Sequence, residues 1–339
     1  MCKVLTAAAR NGGKVKRVRP GQRIQDAINA ASPGDQIVVE AGTYREQLLI
    51  RKDRISLVGQ NAVIEPPKNA VNNICTGLAG PGTQVGICVV GRQVALADFV
   101  TEHRKVQSAK DPVNGVSITG FEIRNFLGSN VALVGATNTQ VTKNKLSEGL
   151  VYGFLSAGSI NTQFSGNIVV STSQLGFIGA CHDNFQGAQV SNNQVSGYLI
   201  ALCVQTPGAD VRDNDASGNC IGVYVDPAVT GATISGNRIG PSSSKCAGPG
   251  SFGVYGIILD SAIKSRVEGN TITGQRNAGQ GVGIAIVDEK CTELSLACVI
   301  LGNHAPLASG NVVVHNILRG NDINLLINTT GKNVVLDNK

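Results

Sequence analysis

Four short phrases end on a polar side chain at the same place: GACHD at Asp183, ALCVQ at Gln205, GVYVD at Asp226 and GIILD at Asp260. In each, apolar residues alternate with the others, the period of a strand with one buried face. Stacked as strands, the phrases point Cys181, Cys203, Tyr224 and Ile258 outward, with Asp183, Gln205, Asp226 and Asp260 two residues further on in one column. Neighbouring strands lie about 4.8 Å apart, so Asp226 and Asp260 are expected to perturb each other's ionisation. Two such carboxyl groups divide general acid and base roles, or share a cation such as Ca²⁺. Lys264 and Arg266 follow Asp260 closely, and Arg212 belongs to an earlier copy of the repeat. Abstraction of a proton beside a carboxylate needs a base and a positive neutraliser. The candidate catalytic set is therefore Asp226, Asp260, Lys264, Arg266 and Tyr224, with Asp183, Gln205 and Arg212 as substrate-binding candidates. The competing role for each Asp is to cap the turn that follows its strand.

A second phrase, apolar-x-x-Asn-x-apolar, sets the elements that must position these residues. It recurs as VTKNKL, FSGNIV, VSNNQV, VRDNDA, ISGNRI, VEGNTI and VVHNIL, with a partial VLDN at the end, on Asn144, Asn167, Asn193, Asn214, Asn237, Asn270, Asn316 and Asn338. The unit is about 22 residues, lengthened between Asn237 and Asn270 and between Asn270 and Asn316. So short a period leaves no room for crossover helices, and the chain is expected to coil on itself. Val223 and Val225, Ile257 and Leu259, Ile284 and Ile286, and Leu325 and Ile327 then point into the coil. The Asn is expected to take the left-handed turn conformation and to hydrogen-bond its copy one coil away. The sequence predicts an all-β fold, a right-handed parallel β-helix occupying residues 1–339 as one domain. Stretches of about 66–114 and 287–310 break the rhythm and read as insertions framing a cleft on one side.

An open solenoid needs an end cap. In RIQDAINAASPGDQIVVEAGTYREQLLI, Ile24, Ala27, Ile28 and Ala31 share one face of a short helix and Pro33-Gly34 stops it, giving a cap over about 17–40. This stretch resembles the N-terminal cap and first coil of the pectin-lyase-like superfamily, and the Asn coils extend the likeness to residue 339. The resemblance implies the fold. For activity it implies only a range, since the superfamily holds lyases, hydrolases, esterases, epimerases and noncatalytic binders. The NTD, GHG and RIK phrases of polygalacturonases are missing, as are the pectate lyase RxPxxR and the QDTL of pectin methylesterases, so no catalytic residue is carried over by motif.

Composition narrows the classes. Of the net charge of +6, seven cations precede the first acid at Asp26, and the rest of the chain is close to neutral. A nucleic-acid partner, which wants a basic stripe with stacking aromatics, is excluded. No apolar run is long enough to span a membrane. Nine cysteines without a zinc-type CxxC favour secretion, with any leader already removed; Cys75 with Cys88, Cys220 with Cys246, and Cys291 with Cys298 are candidate staples. His182 falls inward as a core residue, His315 sits at a turn facing solvent, and His103 is expected to be a solvated loop residue. The function expected is a secreted carbohydrate-active enzyme, a polysaccharide lyase acting on an acidic glycan. Phe177, Leu199, Tyr224 and Ile258 facing outward, in a chain without Trp, give the alternative of an isomerase, lyase or cyclase for a small, partly apolar metabolite. A noncatalytic surface or binding β-helix is a third reading.

Overall fold

A computed structural model describes residues 13–246, 253–291, 296–302 and 304–339. Short β-branched runs separated by tight turns form strands that stack coil on coil. Ten parallel strands build one sheet, in spatial order Leu48–Ile50, Val85–Val90, Ser129–Val134, Tyr152–Ala157, Gly176–Asp183, Tyr198–Val204, Ile221–Val225, Tyr255–Asp260, Val282–Val287 and Ile323–Asn328. A 22-stranded sheet closes the rest of each coil. This is the right-handed parallel β-helix anticipated from the repeat.

The core lies inside the coil. Val223, Val225, Ile257, Leu259, Ile284 and Ile286 are fully buried there. Ile327 is 50% exposed, because its strand is at the edge of the ten-stranded sheet and pairs there only with Val282–Val287. At the other end the helix Ile24–Ala30 buries Ile24 and Ile28 against the first coil, and the Glu46 carboxylate accepts hydrogen bonds from the backbone N–H of Ile24 and Gln25.

The Asn residues form a continuous ladder. From Asn144 through Asn316, each donates both its backbone N–H and its Nδ2 to the Oδ1 of the next, at 2.8–3.3 Å. One detail of the expectation is corrected. The left-handed residue is the one before the ladder Asn, such as Lys143, Asn192, Asp213 or His315, at φ of 55–57°. The Asn itself turns inward and is nearly fully buried.

The 66–114 stretch is also not one loop. Its strand Val85–Val90 pairs with Leu48–Ile50 and Ser129–Val134 as an ordinary coil strand. The true projection after it is an antiparallel hairpin of Gln93–Leu96 and Val106–Asp111. This hairpin and the segment around Leu78 lie on the outer face of the ten-stranded sheet. There they form a second apolar cluster with Cys88, Val90, Ala132, Val134, Leu155 and Ala157. All three expected disulfides are present, and Cys181–Cys203 is a fourth that the sequence reading did not pair. Cys2 lies outside the described residues.

Replacing Asn214 by Ala orphans the Asn193 backbone N–H and removes Nδ2 bonds to Val190, Arg212 and Asn237. Each buried group left unsatisfied costs about 1–3 kcal/mol. A clear drop in melting temperature is expected by circular dichroism; an unchanged one means that the ladder does not stabilise the stack.

Candidate active site

The column read from the repeat exists. Val204 pairs with Val225 and Val225 with Leu259, so Gln205, Asp226 and Asp260 follow in register on adjacent strands. Asp183 stands beside Gln205, since His182 pairs with Val204. Tyr224, one coil before Ile258 on the same outer face, donates its phenol hydrogen to Asp260 Oδ2. Five of the eight candidates, Asp183, Gln205, Tyr224, Asp226 and Asp260, therefore meet.

Lys264, Arg266 and Arg212 do not join them. After Asp260 the chain turns a corner through Ser261 and Lys264, both left-handed, and Arg266 opens the strand Arg266–Glu268 in the other sheet, where it pairs with Glu268. Arg212 likewise belongs to that sheet and pairs with Asp210. Closeness in sequence misled because four residues past a strand end suffice to leave the face.

The positive charge comes instead from the hairpin. Lys105 Nζ bonds Asp183 Oδ1, and Glu102 Oε2 accepts from Gln205 Nε2 at 3.1 Å. His103, expected in solvent, is fully buried: Nε2 lies 3.0 Å from Asp183 Oδ2 and Nδ1 3.0 Å from Tyr152 Oη. An ionised carboxylate only accepts, so His103 Nε2 donates to Asp183. The run Glu102-His103-Arg104-Lys105, four ionisable residues inside an insertion, was the available signal. His182, as expected, is a core residue, bonded to Ser156 and packed on Phe154 and Phe164; burial pushes it down to about 3.

These contacts separate the acidities. Burial would raise Asp183, but the His103 hydrogen bond and the Lys105 charge outweigh it and hold the carboxyl below its usual range. Asp226 goes the other way: burial first, then the charges of Glu102 and Asp260, hold it well above the carboxylate range, so it keeps its proton. Burial also lifts Asp260, reinforced by Glu289 and opposed by the Tyr224 hydrogen bond, bringing it to about 7. Tyr224 is raised by burial and by the Asp260 and Asp226 charges. Such a divergence within one cluster is the pattern of paired acid and base groups.

Asp226, Gln205 and Lys105 open on a cleft of about 170 Å³. Its other walls are Pro207, Pro227, Ala228 and Val229 from the turns, and Ala297, Ile300 and Leu301 from the second insertion. Lys105 beside the hairpin and the helix of the second insertion thus line one space.

With its coils, cap and turn ladder, the chain has the fold of the pectin-lyase-like right-handed β-helix superfamily. Residues 178–339 match the family model for NosD, a periplasmic copper-binding protein. No curated protein matches in sequence. Among solved structures, a mutant of the periplasmic alginate epimerase AlgG is 13% identical, with 95% of this chain and 83% of that one covered and a TM-score of 0.56. The alginate lyase from Paenibacillus sp. str. FPU-7 is also 13% identical, over 93% of this chain and 99% of that one, at TM-score 0.53. The Dettilon tailspike protein is 15% identical over 92% and 68%, at 0.51. Among the described residues the one ligand cluster is Glu289, Cys291 and Cys298, and copper does not fit it, because its two sulfurs are joined in a disulfide.

Because Asp260 moves from 3.8 to about 7 on folding, the native state holds a proton that the unfolded chain has lost between those values. Stability is then greatest on the acid side of that window and falls as pH rises through it. Asp260→Asn is expected to make this slope shallower in denaturant titrations across the window; an identical slope places Asp260 outside the linkage.

Proposed function

We propose that the chain is a carbohydrate-active enzyme that cleaves an acidic glycan by β-elimination in this cleft. The observation that carries the reading is the adjacent pair of buried carboxyl groups, one held protonated and one poised near neutrality. Asp260, ionised, takes the proton on the carbon beside the uronate carboxylate. The electron pair left behind forms the carbon–carbon double bond, the neighbouring carbon–oxygen bond breaks, and the departing oxygen takes the proton of Asp226. Tyr224 holds Asp260, and Lys105, the one cation among the described residues of the cleft wall, faces the uronate carboxylate. Acid–base steps of this kind contribute about 10²–10⁴-fold each. The shared fold of the alginate epimerase and lyase supports a carbohydrate substrate by analogy. Four disulfides favour an oxidising compartment, secreted or periplasmic.

A second reading, conversion of a small, partly apolar metabolite at the same groups, is favoured by the apolar wall of Pro207, Pro227, Val229, Ile300 and Leu301.

Incubation with pectate, alginate and glucuronan, with and without Ca²⁺, is expected to generate the ultraviolet absorbance of unsaturated uronate ends. Silence across the panel favours the second reading. Asp226→Asn is expected to lower turnover by about 10²–10⁴-fold with little change in melting temperature; a large loss of stability makes the carboxyl a turn cap instead.

A further inference from the structure

The outer face of a β-helix sheet offers a long polymer an open groove only if outward residues of successive coils are exposed. Here they are covered on the N-terminal side of the site. The column that carries Asp183, Gln205, Asp226 and Asp260 continues toward the N-terminus as Ala157, Val134 and Val90, and all three are fully buried. Val94, Val106 and Ala109 of the hairpin pack into the cluster that covers them.

The fit is close enough to require missing side chains. A Cβ at Gly158 would stand 2.3 Å from Val106, and one at Gly135 would stand 2.8 Å from both Val94 and Ala109. The hairpin is also fastened at its site end, through Lys105 and His103 to Asp183 and through Glu102 to Gln205. On the far side, Ala297, Ile300 and Leu301 form a second wall. The cleft between Lys105 and this wall is about 170 Å³, below the roughly 300–1,000 Å³ of pockets that enclose a drug-sized ligand.

Resting on the β-elimination reading, we infer that the site takes the end of a glycan chain. One terminal ring enters between the insertions, and the rest of the chain leads away from the sheet face. Internal stretches of a polymer have no path along the ten-stranded sheet, because the hairpin occupies it. The hairpin residues Val94, Val106 and Ala109 thereby determine specificity without touching the reacting atoms, and Gly135 and Gly158 act as their seats.

The test is calorimetric binding of a size ladder of mannuronate oligosaccharides, from monosaccharide to hexasaccharide, to the intact wild-type protein. End-on entry predicts affinities that level off after the first ring or two. Stepwise tightening by about tenfold for each added ring through the hexasaccharide overturns this inference and leaves the β-elimination reading standing. Absence of binding by every member overturns that reading for this uronate and the inference with it. In the Gly158→Ala variant, whose methyl group prises Val106 away, the plateau is expected to move to longer chains. If that variant proves unstable, shortening the Val106 side chain by Val106→Ala gives the same readout, and an unmoved plateau in a folded Val106→Ala protein removes the hairpin as the determinant.

Discussion

The register between coils is the constraint on which the molecule depends, and the buried Asn ladder holds it. A parallel strand slipped by one residue sends its inward side chains out and its outward ones in. In this chain that slip would put Asp226 and Asp260 into the apolar core and expose Val225 and Leu259. The ladder opposes it at each rung with two hydrogen bonds to a single oxygen, in surroundings where an unmet amide is costly. Positioning of the acidic column is thus inherited from a turn on a different sheet.

On that frame the insertions do two jobs with one set of contacts. The hairpin buries apolar outward residues on the N-terminal coils and, at its end, delivers Glu102, His103 and Lys105 to the column. Asp183 is the junction of the two jobs, since it accepts from both His103 and Lys105 and stays ionised for that reason. At Asp226 and Asp260 burial outweighs what Gln205 and Tyr224 donate, and both are held up. Three carboxyl groups in one column thereby acquire different proton affinities.

The repeat made much of this legible. Strand alternation and the Asn spacing gave the coil, its register and the Asp183, Gln205, Asp226 and Asp260 column, because these are properties of periods two and about 22 that a single sequence displays. The positive side of the site was not legible. Lys264 and Arg266 were assigned by proximity along the chain, which fails wherever a corner intervenes, and here Ser261 starts one. His103 was placed in solvent because its partners Tyr152 and Asp183 lie 49 and 80 residues away, and no local pattern encodes a hairpin folding back over that distance. Cys181 and Cys203 are outward neighbours in one column, a position across two coils that the loop-flanking pairs Cys75 with Cys88, Cys220 with Cys246 and Cys291 with Cys298 do not cover.

A rung spanning 21 residues, from Asn193 to Asn214, closes at 2.9–3.0 Å, and one spanning 46, from Asn270 to Asn316, closes at 2.9 Å. The stack therefore does not sense how much chain is spent between one Asn and the next. Whatever is added in the longer excursion, including the helix Leu296–Ile300 and its disulfide, is mechanically invisible to the coils above and below. Such a scaffold can exchange the walls around the acidic column piece by piece, which makes the shape of the entrance a far freer variable than the spacing of the strands beneath it.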